Sequence, residues 1–130
     1  MYISTKKVLL EGYDPVSYTT GEPQKGSAIH QLSHNGIHYH FASEKNLETF
    51  KANPEKYEPA YGGWCAWAMY SSGEKTEADP LSYEIVDGKL LVFFKNFFAN
   101  TRSKWNKRAK KEGHAPLVKQ ADENWQKITM

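Results

Sequence analysis

Apolar and polar residues alternate most clearly on either side of Asn35-Gly36, and there the chain predicts a β-hairpin. Both turn residues accept positive φ, as a two-residue hairpin turn requires. The register expected from that turn pairs His34 with Ile37, Leu32 with Tyr39, and His30 with Phe41. Leu32, Ile37, Tyr39 and Phe41 make the apolar face, with His30 and His34 on the same side. His38 and His40 project from the opposite face, beside Gln31 and Ser33. Next, Ser43 predicts a helix start, and Leu47 and Phe50 give residues 44–52 a buried stripe. Asn53-Pro54 ends that helix and opens a second short turn, with Tyr57 packing inward. Tyr61-Gly62-Gly63 is a break, and the apolar run 64–69 predicts a buried helical turn.

Residues 73–80 read as a polar loop. Asp87-Gly88 predicts a second hairpin, from 82–86 to 89–93. Two helices finish the chain. The first places Phe98, Trp105 and Ala109 on one stripe and stops at Gly113. The second carries Leu117, Ala121, Trp125 and Ile128 at helical spacing. Residues 1–28 predict irregular or short extended structure, with Asp14-Pro15 as a turn initiator. No internal repeat is apparent. The predicted class is α+β: a small antiparallel sheet of hairpins with helices packed on it, closed by a C-terminal helical pair, in a single domain over 1–130 sharing one core.

Composition makes that core aromatic. The 130 residues hold four Trp, eight Tyr and six Phe, while hydrophobic residues reach only 39%. A disordered tail, a coiled coil and a collagen-like fibre are excluded. No apolar run approaches the roughly 18 residues of a membrane span. The net charge is +2, too small to indicate nucleic-acid binding. It is unevenly spread: residues 1–94 carry −4 and residues 95–112 carry +6. That basic segment either meets an anionic partner or forms the wet face of a helix, and the solvated face is the simpler reading.

One cysteine, Cys65, rules out an internal disulfide and any site with two Cys ligands from one chain. If a helical turn opens after the double glycine, its thiol sits at a helix N-terminus, where a thiolate is favoured as a nucleophile or a soft Cu(I) ligand. The alternative is a small buried residue fitted among tryptophans. His38 and His40 put two imidazoles about 6.5–7 Å apart on one strand face, able to chelate Cu(II), Ni(II) or Zn(II) if a third ligand joins them. A solvated strand face is the plainer account. Tyr57, Tyr61, Trp64 and Trp67, with Tyr70, either line a ligand pocket or are plain core. Paired carboxylates, Gly-rich phosphate loops and Walker-type phrases are absent, so catalysis finds little support.

Several phrases stand together in order: Gly12-Tyr13-Asp14-Pro15-Val16, Tyr39-His40-Phe41-Ala42-Ser43, Asn53-Pro54-Glu55-Lys56-Tyr57, Tyr61-Gly62-Gly63-Trp64-Cys65-Ala66, Val86-Asp87-Gly88-Lys89-Leu90 and Ala121-Asp122-Glu123-Asn124-Trp125. Together they resemble the stand-alone bacterial branch of the YHS-domain family, over about residues 9–128. The resemblance implies a compact domain of an exported protein, periplasmic or lipoprotein-anchored, although no signal peptide is visible in the chain. It also implies an association with heavy-metal handling, copper foremost. The family's metal-associated branch has a Cys soon after the Asp-Pro-Val phrase and a Cys pair near the Tyr-Phe phrase. This chain has neither, so that thiolate site does not carry over. The expectation is a non-enzymatic binding protein that sequesters or delivers a transition metal through Cys65, His38 and His40. The alternative is an interaction or small-molecule-binding module using the aromatic cluster, with no metal. No nucleic-acid partner is expected, and no protein partner is named.

Overall fold

Both predicted hairpins form in the computed structural model, which describes residues 8–129. Each is its own two-stranded antiparallel sheet: β1 (Ser27–His34) with β2 (Ile37–Phe41), and β3 (Asp79–Val86) with β4 (Lys89–Phe93). The turns are built as their sequences require. Asn35 and Gly36 have φ of 53° and 78°, and Asp87 and Gly88 have φ of 50° and 79°, the left-handed pair that matches strand twist. The chain divides into two compact units, Met1–Glu58 and Pro59–Met130, and its buried side chains gather into two clusters, one in each unit.

In the first unit, a turn over Leu9–Gly12 leads to a 3-10 helix, Pro15–Thr20. The hairpin follows, then α1 (Glu44–Ala52) and the single turn α2 (Pro54–Tyr57). Ser43 caps α1 as predicted, accepting from the Asn46 amide at 3.1 Å. Val16, Tyr39, Phe41, Leu47 and Phe50 form the core. The Phe50 ring packs on Tyr39 at 4.7 Å, Phe41 at 5.3 Å and His34 at 6.0 Å. The polar centre of this unit is Asp14, fully buried. Its Oδ1 accepts from the Val16 amide, and its Oδ2 accepts from the Ala42 amide and Asn46 Nδ2, each at 2.8 Å. One side chain thus ties the 3-10 helix to the end of β2 and the start of α1.

The expected hairpin register holds near the turn and fails at its far end. Leu32 faces Tyr39 and His34 faces Ile37, but Phe41 is paired with Ser27, not His30. The strand is irregular between Ser27 and Gln31, so His30 falls in the bulge, 3.5 Å from the Glu44 carboxylate. Period-two alternation carries no marker for such an insertion.

The second unit opens with a turn, Ala60–Gly63, and then α3 (Ala66–Ser71). The second hairpin is followed by α4 (Thr101–Glu112) and α5 (His114–Thr129). Trp105 is fully buried at the centre of its core, with Cys65, Ala66, Met69, Leu91, Phe93, Leu117 and Ala121. All four tryptophans belong to this unit. Two expected core residues are not buried. Phe98 precedes α4 and is 89% exposed, because Asn100 caps the helix and leaves residue 98 outside its stripe. Ile128, near the end of α5, is 42% exposed.

The two units follow one plan, a repeat that the sequence reading missed. Each begins with consecutive positive φ values, at Leu10, Glu11 and Gly12 in one and Tyr61, Gly62 and Gly63 in the other. A short helix comes next. A long-range amide bond of 2.8 Å then closes the loop before the hairpin, from Asp14 to the Gln24 carbonyl and from Cys65 to the Thr76 carbonyl. Both hairpins lose register at the same place, before Gln31 and before Tyr83. A parallel bridge joins the opening turn to the return strand in each, Val8 with His38 and Pro59 with Leu90. In sequence the match is thin: Tyr18-Thr19-Thr20-Gly21-Glu22 against Tyr70-Ser71-Ser72-Gly73-Glu74. The copies differ after the hairpin. Only Ala42 separates β2 from the cap Ser43, whereas residues 94–99 separate β4 from the cap Asn100. The long α5 also stands where the first unit has the four-residue α2.

Candidate functional site

Cys65 was expected near a helix N-terminus, and it is the N-cap of α3. Its side chain is fully buried. Sγ accepts from the Ala68 amide at 3.5 Å and lies 3.3 Å from Thr101 Oγ1. Thr101 donates its own hydroxyl proton to the Phe94 carbonyl at 2.5 Å. The threonine oxygen is therefore left to accept, and the cysteine S–H points to it. Sulfur here links α3 to the start of α4, as the Asp14 carboxylate links the 3-10 helix to the start of α1.

His38 and His40 lie in β2, opposite Ser33 and Gln31, on the face expected for them. Both are half-buried. They belong to the first unit and Cys65 to the second. Among the described residues, no three His, Cys, Asp or Glu side chains are grouped to hold a metal ion. A copper centre needs a third donor beside the two imidazoles, and the only thiol is directed inward to Thr101.

The aromatic residues divide between the units. Tyr57 packs against the first core. Tyr61 is buried in the second, and Trp64, Trp67, Tyr70 and Trp125 pack around it, each half-buried. Trp67 and Tyr70 rings are 5.4 Å apart. Gly62 has φ 60°, and a Cβ there would stand 3.0 Å from the Trp125 ring, so a side chain at this position would press on the indole edge. Beside it, Tyr61 has an unusual left-handed φ of 57°. Its buried hydroxyl makes no good hydrogen bond among the described residues. Burial, and then the nearby Asp122 charge, push its pKa well above the ordinary tyrosine value. The Tyr39 phenol of the first unit is raised in the same way, by burial and by Glu58. Both phenols keep their protons through neutral pH.

Sequence reasoning missed Asp14 and Thr101 as polar keystones, and Trp125 as part of the tryptophan face. The Asp-Pro dipeptide and the Asn100-Thr101 helix start marked local turns, but neither reveals a partner so distant in the chain. No helix among the described residues is long and apolar enough to cross a membrane.

Comparison with known proteins gives one family. The model of the YHS domain matches residues 16–61. No curated protein and no solved structure matches the chain.

Proposed function

Because the YHS-domain model matches residues 16–61, we propose that the protein works as a non-enzymatic binding module of that kind rather than as a metal carrier. The observation that supports this reading is the position of Cys65. The thiol fills the structural place that Asp14 fills in the first unit, capping a short helix and reaching to the next one. It is committed to the fold, and it offers neither a nucleophile nor a soft ligand to solvent. The recognition surface in this reading is drawn from the half-buried Trp64, Trp67 and Trp125, which pack on the second core. Half-buried indoles present flat apolar area at low entropic cost. The family resemblance supports an exported protein.

Thiol labelling and metal titration test the reading together. Iodoacetamide should leave Cys65 unmodified in the folded protein and modify it in denaturant. Anaerobic titration with Cu(I) and Cu(II) should show no site tighter than about micromolar, and Cys65→Ser should titrate like the wild type. Native mass spectrometry of gently purified protein should show a bound small molecule that Trp64→Ser/Trp67→Ser loses. Rapid labelling of the folded protein, or tight copper that depends on Cys65, would return the chain to metal handling.

A further inference from the structure

Phe97 and Phe98 are 94% and 89% exposed, adjacent in sequence, and packed edge to face at 5.3 Å and 87°. Large apolar rings so fully in water call for a partner. Hydrogen bonds define the turn that carries them. Asn96 Oδ1 accepts from the Phe98 and Ala99 amides at 2.9 and 2.8 Å, its own amide donates to the Ala99 carbonyl, and Lys95 bridges to Asn100. This turn lies in the segment 94–99, which has no counterpart after the first hairpin.

The turn leads directly into α4, whose buried side is Thr101, Trp105 and Ala109. Lys104, Lys107 and Lys111 recur at i, i+3 and i+7 on the exposed side, so they line one stripe. Lys110 flanks it, and Lys95 stands at the base of the turn; all are exposed. Arg102 and Arg108 are paired with Glu84 and Glu112, whereas these five lysines have no carboxylate partner among the described residues. Residues 95–112 carry +6.

We propose that the Phe97–Phe98 turn and the α4 lysines form a docking surface for a lipid bilayer rich in anionic headgroups. The rings enter the headgroup–acyl boundary while the lysines meet the lipid phosphates, the combination that holds peripheral proteins on membranes. Two other occupants suit the surface less well. Successive bases of a nucleic-acid strand stack in parallel, and rings at 87° cannot both accept them. A second copy would bring an equal positive charge to a two-fold contact.

Co-sedimentation with phosphatidylcholine vesicles, with and without phosphatidylglycerol, tests the surface. The full chain should pellet with the anionic vesicles, remain in solution with the neutral ones, and release as salt shortens the Debye length. Phe97→Ser/Phe98→Ser and Lys104→Glu/Lys107→Glu/Lys111→Glu should each weaken partitioning at least about ten-fold. All five positions are exposed, so circular dichroism and the unfolding midpoint should match the wild type. The proposal is overturned if the wild type does not pellet, or if the phenylalanine variant pellets like the wild type. It is equally overturned if those phenylalanines instead control binding of a single-stranded oligonucleotide or the mass of the protein in solution. None of these outcomes involves Cys65 or the tryptophan face.

Discussion

Replacing Asp14 by alanine is expected to cost the fold about 3–5 kcal/mol, as the sum of lost charge-assisted bonds and stranded donors. The carboxylate is fully buried and accepts three hydrogen bonds of 2.8 Å. Alanine removes all three acceptances at once. It leaves the Val16 and Ala42 amides and the Asn46 side chain to find other partners, the first in a buried setting and the others in half-buried ones. Asparagine does not rescue the site, although it matches the shape. Its oxygen can still accept from Val16, but its amide nitrogen would then face two donors. Urea unfolding followed by far-UV circular dichroism should show both variants losing midpoint, with asparagine nearly as damaging as alanine. A loss below about 1 kcal/mol, the scale of one ordinary hydrogen bond, would deny Asp14 its keystone role.

The second large loss is expected from Trp105→Ala, about 3–5 kcal/mol for a fully buried tryptophan. Its ring meets Phe93 at 5.7 Å, Tyr70 at 6.1 Å and His114 at 6.4 Å, and its Nε1 donates to His114 Nδ1 at 3.0 Å. Trp105→Phe separates the two contributions. It keeps most of the packing and removes the hydrogen bond, so its cost should be smaller, about 1–2 kcal/mol from the bond and the partial void. If Trp105→Phe instead unfolds at the wild-type denaturant concentration, the indole's extra volume and its bond to His114 contribute nothing.

Most of the element order was legible, because its signals are local. Asn35-Gly36 and Asp87-Gly88 encode their turns in two residues, and Ser43 marks a helix start by its own side-chain bond. The repeat was not legible, because what the units share is backbone conformation. Leu10, Glu11 and Tyr61 take positive φ without being the residue types that usually announce it, and Asp14 and Cys65 fill equivalent places with unrelated chemistry. The bulge at His30 escaped for a related reason: an inserted residue leaves the alternation on either side intact. Phe98 was assigned to the α4 stripe because spacing alone does not say where a helix begins, and the Asn100 cap starts it later. The surroundings of the candidate metal ligands depend on the same kind of information. Ligand types could be read from the chain, but the direction of the Cys65 S–H depends on Thr101, far along the chain.

The confinement of every tryptophan to one unit gives the protein a built-in optical label. Emission excited at the indole band reports residues 59–130, while the first unit absorbs only through tyrosine. Denaturation monitored by indole emission and by far-UV circular dichroism therefore asks a direct question about cooperativity. Superimposable curves mean that Asp14→Ala lowers the stability of the second unit's indoles, and the two copies of the plan melt as one. Separated curves mean that each copy holds its own free energy, and that a lesion in one leaves the spectrum of the other untouched.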